Sequence, residues 1–224
     1  MTNFESRPSP ISDSVGNYLK AIWKLGGGDP VSTSDLSREL DVSAPSVSGM
    51  LAKLNDAGLV SHERYHGARL TSAGTQEALR LVRRHRLIES FLVKHLGFSW
   101  DEVHEEAEIL EHAVSERFVE QLDILLDSPT HDPHGDPIPT ADGTFPETPD
   151  RCLADTVAGG RFTIFRLLAQ DPRSLTELAG LGLKPGVEVK VIQQEEGDIL
   201  RLSLDGSEVS LSLDQAALIE GDSI

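Results

Sequence analysis

The chain is poor in cysteine: its 224 residues include one, Cys152. A lone thiol cannot close a disulfide within the chain, and it excludes a zinc site built from several thiolates. The chain also has no run of about 18 apolar residues, so no membrane-spanning helix is expected. Its first residues lack a basic stretch followed by an apolar core, so no secretory signal is predicted. From these absences we expect a cytoplasmic protein without a membrane partner.

Basic residues are scarce as well: 20 Lys and Arg stand against 37 Asp and Glu, a net charge of −17 at pH 7. The deficit is uneven along the chain. Residues 1–96 hold 12 basic and 10 acidic residues, whereas residues 97–224 hold 8 and 27. A chain whose C-terminal part is acidic and whose N-terminal part is mildly basic can still present the basic part to nucleic-acid phosphates. The alternative is that the acidity serves solubility alone.

The sequence of the mildly basic N-terminal part has the pattern of three short helices. An apolar stripe at helical spacing predicts the first helix over 13–25. Ser32 is expected to cap a second helix that runs to Leu40. Ser43 is expected to cap a third, with Pro45 in its first turn, where a missing N–H costs nothing.

The third helix combines an apolar stripe with a face of small polar residues, and segments 60–64 and 68–71 follow as a predicted β-hairpin. Three helices and a hairpin are typical of a winged helix-turn-helix, whose recognition helix lies in the major groove of DNA. The residues expected to meet DNA are Ser43, Pro45, Ser46, Ser48 and Gly49 on the helix, with Arg64 and Arg69 on the hairpin. The alternative is a helical bundle with a solvated polar face.

The centre of the chain carries a row of imidazoles and carboxylates. Two helices are predicted there, over 72–96 and 100–126, joined by a turn at Gly97. The charged residues repeat every three or four positions, and such positions share one face of a helix. They are His85, Glu89, His104, Glu108, Glu111 and His112.

Six such groups packed together are costly unless a positive ion lies among them, so a divalent metal is the simplest occupant. Oxygen and nitrogen donors without thiolate suit Mn2+ or Fe2+ and admit Zn2+, Co2+ or Cd2+ in vitro. The alternative is that these residues form a solvated helix face and bind no metal. Two enzyme motifs fail: the segment that starts at His104 like HExxH ends in Glu108, and Ile109 stands where a di-iron bundle needs Glu. The surplus of apolar surface on the two helices favours a dimer interface.

The remainder of the chain, residues 127–224, divides into a loop and a small domain. Six of the twelve prolines lie in residues 127–150, which predicts an irregular linker. His131 and His134 lie there at HxxH spacing, and a solvated loop is the simpler interpretation of them than a metal site. Residues 151–224 are predicted to form a small β-barrel from strands over 162–168, 187–192, 199–204 and 209–213, with a helix over 174–181 capped by Ser174.

Seven motifs follow one another along the chain in a specific order and spacing: NYLKAIWKL, SAPSVSGMLAKLNDAGLV, RLTSAGTQEAL, RRHRLIESFL, VHEEAEILEH, GDPIP and LGLKPGVEVKV. With these motifs the chain resembles the diphtheria toxin repressor family of metal-dependent transcriptional regulators, which has iron and manganese branches. The resemblance implies a mainly α fold with three domains. They are a winged helix-turn-helix over 1–72, a helical metal-binding dimerisation domain with a Pro-rich linker over 73–145, and an SH3-like (FeoA-like) domain over 146–224.

The resemblance also implies roles for single residues. The ligands it implies are His85, Glu89 and His104 for one metal site and Glu108, Glu111 and His112 for the other. The position of Glu108 is Cys in iron-responsive members and Glu in manganese-responsive ones, so Glu108 points to manganese. Asn17 stands where members use Met or Asp as a ligand, and Asp171 matches an acidic ligand of the C-terminal domain. Lys20 stands where some manganese regulators place Glu, and Gly49 replaces a polar base-contacting residue.

We therefore expect a manganese-dependent, DNA-binding transcriptional regulator, most simply a repressor of metal-ion uptake genes, that acts as a homodimer on palindromic operator DNA. An iron-dependent regulator of the same family is one alternative. A metal-dependent enzyme is another, and it requires an open coordination position and turnover with the metal. A third alternative is a metal-independent winged-helix protein that responds to a small molecule.

Overall fold

The computed structural model describes residues 12–63, 66–100, 102–168, 172–195 and 198–223. The chain forms two compact units: Met1–Arg83 with Pro139–Gly143, and Arg84–Ile138 with Thr144–Ile224. In the described part of the chain, no helix combines the length and apolar character needed to cross a membrane.

The first unit contains three helices, a hairpin and the start of a fourth helix. Its elements are α1 (Asp13–Gly26), α2 (Thr33–Glu39), α3 (Ala44–Asp56), β1 (Val60–Glu63), β2 (Gly67–Leu70) and the beginning of α4 (Ser72–Phe91). The predicted caps form: the Ser32 hydroxyl accepts a hydrogen bond from the amide of Asp35, and the Ser43 hydroxyl accepts one from the amide of Ser46. The winged helix-turn-helix is confirmed.

One apolar core holds these elements together. Leu19 of α1, Leu36 of α2 and Val47 and Leu51 of α3 are fully buried in it. β1 and β2 pair antiparallel, with Val60 opposite Leu70. Because α3 turns its apolar stripe into this core, its opposite face is left in solvent.

The helical part of the second unit differs from the prediction in one place. The end of α4 continues as a π-helical turn, Leu92–Leu96, and stops at Gly97, whose φ of +76° favours glycine. The helix predicted over 100–126 is wrong as a single helix, because it is divided into α5 (Val103–Ala113) and α6 (Glu116–Leu125). Val114 is extended, and the Ser115 hydroxyl caps α6 by accepting from the amide of Phe118.

The C-terminal part of the second unit is an antiparallel sheet of six strands in the order β3-β8-β4-β5-β6-β7. The strands are β3 (Arg151–Cys152), β4 (Arg161–Leu167), β5 (Glu188–Glu195), β6 (Ile199–Leu204), β7 (Ser207–Ser212) and β8 (Ile219–Ser223), with helices α7 (Pro172–Gly180) and α8 (Leu213–Ala216). Phe162 and Ile164 of β4 lie fully buried in its core.

Two predictions for this part need correction, and two strands were not predicted. Within the described residues the sheet is open, with β3 and β7 at its edges, so a closed barrel is wrong. Helix α7 begins at Pro172, before the predicted cap Ser174. β3 and β8 were not predicted, because each is short and finds its partner far away in sequence.

Candidate metal centre and nucleic-acid interface

Helices α4 and α5 position the central row of ionisable side chains. An apolar cluster that includes Ile88 of α4, Leu92 of the π-helical turn, and Val103 and Ala107 of α5 packs the two helices together. Arg84 of α4 strengthens this packing, since its guanidinium donates to the backbone carbonyl of Glu111 at 2.8 Å. The helical spacing predicted from the sequence thus brings two rows of donors face to face.

His85 lies at the centre of these rows. Its Nδ1 lies 2.7 Å from a carboxylate oxygen of Glu111, and its Nε2 lies 2.9 Å from one of Glu89. The Nδ1 of His104 lies 3.0 Å from the same Nε2 and 3.2 Å from Glu89. Glu89 and Glu111 are buried, at 2% and 0% exposure, so water screens these charges poorly.

The electrostatics of the row place a positive charge on His85. Burial disfavours the imidazolium, but the charge of Glu89 and the hydrogen bond with Glu111 outweigh it and raise the pKa of His85 to about 10. Burial likewise opposes the ionisation of Glu89, yet the charge of His85 and the hydrogen bond from His104 hold the pKa of Glu89 below its ordinary value. The carboxylates thus gather around a cation, which is the environment that a divalent metal requires.

The structure brings the donor atoms into three groups, each with its atoms within 4.8 Å of one another. They are the groups His85, His104 and Glu108; Glu108, Glu111 and His112; and Glu89, Asp132 and His134. The second group contains the predicted ligands of one site. The predicted ligands of the other site touch one another, but Glu89 also belongs to a set with two residues from the Pro-rich loop.

The sequence interpretation did not single out Asp132, and it assigned His134 to a solvated loop. Both are buried, at 8% and 6% exposure, so the solvated loop predicted for them is wrong. Burial and the nearby charges of Glu89 and Asp136 raise the pKa of Asp132. The sequence signal that could have indicated this pair is an acidic residue and a histidine two positions apart beside the GDPIP motif. His131 takes no part in the three groups: its Nε2 lies 3.2 Å from the Thr148 hydroxyl.

Two weaker predicted ligands have different outcomes. The side-chain oxygen of Asn17 is buried and has no hydrogen-bond partner among the residues that the structure describes. Such an oxygen is costly to bury unless something binds it. Asp171 lies outside the described residues.

The predicted DNA-contacting residues of α3 lie on its solvent face. They are Ser43, Pro45, Ser46, Ser48 and Gly49, all exposed. A Cβ added at Gly49 would meet nothing within 4 Å, so the backbone there is open to a partner. Arg69 is exposed on β2, 3.7 Å from an Asp29 carboxylate oxygen. Arg64 lies outside the described residues.

The outer surfaces of α5 and α6 carry large apolar side chains in solvent. They are Ile109, Phe118, Ile124 and Leu125, of which Ile124 is 69% exposed. A soluble chain seldom leaves such a set uncovered, so the surface is suited to a protein–protein interface.

Fold and site together define a DNA-binding regulator with an attached metal-binding domain. Residues 11–68 match the family "Iron dependent repressor, N-terminal DNA binding domain", residues 71–140 match "Iron dependent repressor, metal binding and dimerisation domain", and residues 151–222 match the FeoA domain.

Solved structures and curated relatives agree with these matches. A manganese-dependent transcriptional repressor in complex with manganese is 40% identical, with a TM-score of 0.85, and covers 94% of this chain and 100% of its own. ScaR with bound Cd2+ is 34% identical, with a TM-score of 0.79, over 94% and 99%. The iron-dependent repressor IdeR of Mycobacterium tuberculosis is 36% identical over 58% of this chain and 56% of its own length. The chain belongs to the diphtheria toxin repressor family of metal-dependent transcriptional regulators.

Proposed function

We propose that the protein is a manganese-activated repressor of metal-ion uptake genes. In this proposal it is cytoplasmic and binds palindromic operator DNA as a homodimer. The observation that carries the metal assignment is Glu108, a carboxylate shared by two of the three donor groups. Cys152, the only thiol of the chain, lies on β3 in the C-terminal sheet and in none of these groups. Hard oxygen donors with imidazole suit Mn2+ better than thiolate does.

We assign two metal sites. Glu108, Glu111 and His112 hold one ion, and Glu89, Asp132 and His134 hold another. His85 and His104 lie between the two sets, and each can serve as a further ligand of either ion. The donor chemistry supports this fit, because carboxylates that would otherwise repel one another converge with imidazoles in a buried place. Asn17 stays a predicted ligand, supported by its buried oxygen without a partner. Asp171 also stays a prediction.

When bound, a divalent cation supplies the positive charge that lets these carboxylates converge without a proton on His85. Of the chain's own residues, Glu108, Glu111 and His112 come from α5, and Glu89 comes from α4. His85 of α4 lies beside Glu111 of α5, and His104 of α5 lies beside Glu89 of α4, so ions that bind these two imidazoles hold one helix against the other. The exposed apolar side chains of α5 and α6 pair two copies of the chain, which sets two recognition helices for successive major grooves about 34 Å apart.

Metal and DNA strengthen each other's binding in this proposal. A ligand shifts a conformational equilibrium only through its different affinity for the two states, and the coupling between two ligands is reciprocal. Metal-dependent DNA binding is therefore the property that tests the function.

The test begins with selection of DNA from a random pool by the protein with Mn2+. Fluorescence anisotropy then measures affinity for the selected duplex with Mn2+ and with EDTA. We expect tight binding with Mn2+ only. Glu108→Ala abolishes the response, whereas Glu105→Ala, an exposed glutamate on the same helix, retains it. Equal binding with and without metal, or an unaffected Glu108→Ala protein, contradicts the proposal.

An iron-dependent repressor is the second candidate, favoured by the iron-dependent repressor domains that the chain matches. Zn2+ and Co2+ are expected to bind in vitro, in line with the Irving–Williams order. Cd2+ is expected to bind in vitro as well, in line with the structure of ScaR with bound Cd2+. Anaerobic titrations with Fe2+ and Mn2+ against the selected duplex separate the candidates. Because Fe2+ binds a given donor set more tightly than Mn2+, the outcome is judged at saturating metal: activation of DNA binding by Fe2+ without activation by Mn2+ assigns the protein to iron.

A further inference from the structure

The loop that supplies Asp132 and His134 is closed on itself. One carboxylate oxygen of Asp132 accepts from the amide of His134 at 2.8 Å and from the amide of Asp136 at 2.9 Å. The backbone carbonyl of Asp136 in turn accepts from the amide of Asp132 at 3.0 Å. These hydrogen bonds tie the loop residues to one another, so whatever holds Asp136 also holds Asp132 and His134.

Strand β4 of the C-terminal sheet lies directly against this loop. The amide of Leu167 donates to the carbonyl of His134 at 2.9 Å. Gly135 has a φ of +84°, and a Cβ there would lie 1.9 Å from the carbonyl oxygen of Phe165 and 2.7 Å from the Cα of Arg166. Only glycine permits this approach, so the loop is built to dock on β4.

Four charged side chains fasten the docked loop, and we call them the arginine clamp: Arg86, Asp136, Arg166 and Glu220. Arg166 of β4 donates through Nε to Asp136 at 2.7 Å and reaches Glu220 of β8 at 3.4 Å. From the other side, Arg86 of α4 donates to the carbonyl of Pro137 and lies 3.6 Å from Asp136.

The clamp also touches the metal-binding set itself. Nε of Arg86 lies 3.7 Å from the second carboxylate oxygen of Asp132. The side chains of Arg86, Asp136 and Arg166 are only 12%, 22% and 26% exposed. Partly buried, hydrogen-bonded ion pairs hold geometry better than exposed ones, and removal of one partner leaves the others uncompensated.

We propose that the arginine clamp sets the metal affinity of the Glu89–Asp132–His134 site by docking the C-terminal sheet against the loop that carries two of its ligands. The clamp residues are positioning residues that act through Asp132 and His134. The inference rests on the proposed metal binding. Loss of such supporting groups typically weakens a metal site about 10- to 100-fold.

The test isolates each site. The background His112→Ala leaves the Glu89–Asp132–His134 set, and the background Asp132→Asn leaves the Glu108–Glu111–His112 set. Arg166→Gln is added to each full-length protein, and free Mn2+ is counted by electron paramagnetic resonance during titration with Mn2+ alone. We expect Arg166→Gln to raise the Kd about tenfold in the first background and to leave it unchanged in the second. Arg166→Lys restores part of the affinity, because an ammonium still pairs with Asp136.

The matched control is Arg161→Gln, which removes an exposed arginine from the same strand and should change neither background; its partner Glu188 lies on β5. An unchanged Kd for Arg166→Gln in the first background, or an equal loss in both, overturns the proposal.

A second measurement separates this inference from the proposed function. If the parent chain binds no Mn2+, the proposed function fails, and the clamp is judged by hydrogen–deuterium exchange of the metal-free protein. There Arg166→Gln must speed exchange at the amides of His134 and Leu167. Unaltered exchange at both amides overturns the clamp independently of metal.

Discussion

His85 and Glu111 join helices α4 and α5 through a buried contact of 2.7 Å between Nδ1 and a carboxylate oxygen. The same imidazole reaches Glu89 through Nε2 at 2.9 Å. In the absence of metal, a proton on His85 therefore supplies the positive charge that the surrounding carboxylates need. In the proposed function, a proton and a metal ion therefore compete for this one cluster.

The first prediction concerns pH. The pKa of His85 is raised from its ordinary 6.5 to about 10. The charged imidazole of His85 therefore stabilises the folded protein fully below pH 6.5, and this stabilisation is lost as pH rises to about 10. In EDTA, urea unfolding should give a free energy of unfolding that falls across this range. His85→Gln should flatten the dependence, whereas His95→Gln, which removes an exposed histidine, should retain it. A wild-type protein that gains stability towards pH 10 contradicts the charge assignment.

The second prediction concerns metal choice. Glu108→Cys replaces a hard oxygen donor with a thiolate in the two donor groups that share this residue. The order of metal affinities should shift from Mn2+ towards Fe2+ and Zn2+, about tenfold or more, since thiolate prefers softer ions. Competitive titrations with a metal indicator measure the order, and Glu105→Cys is the control on the same helix. The same order in wild type and Glu108→Cys refutes the role of Glu108.

The third prediction concerns the wing. Arg69 is exposed on β2, where it is predicted to contact a DNA phosphate. Arg69→Gln should weaken binding to all sequences alike and lower the slope of log affinity against log salt by about 1. Anisotropy at several salt concentrations gives the slope. Arg38→Gln, an exposed change on α2, should leave it intact, and a salt slope unaltered by Arg69→Gln removes the wing contact from the proposal.

The fourth prediction concerns assembly. Ile124 on α6 is 69% exposed, and Ile109 on α5 is 67% exposed. A carboxylate at either position should abolish association, because a charge in an apolar interface is left without a partner. Sedimentation of Ile124→Asp should show monomers at concentrations where wild type is dimeric. Val157→Asp, at a 76% exposed apolar position in the C-terminal domain, should sediment like wild type. A dimeric Ile124→Asp protein places the interface elsewhere.

The amino-acid sequence determined the local features of this protein. The spacing of His85 and Glu89, and of Glu108, Glu111 and His112, fixed the helix face of each side chain, because helical periodicity is a local property. Ser32 and Ser43 similarly marked two helix starts, since a cap binds an amide only two or three positions ahead. The winged helix-turn-helix and the central row of donors followed from such patterns.

The tertiary structure decided which distant groups meet. Asp132 and His134 join Glu89 only because Gly135 lets their loop dock on β4, and no periodicity in the sequence encodes that approach. The apolar spacing continues past Ser115 without a break, so the division between α5 and α6 depended on how the following helix packs. The C-terminal sheet is open, and its strand order also depends on pairings between β3, β4 and β8. Local spacing therefore set the helix faces of the candidate metal ligands, and long-range packing brought the three donor groups together.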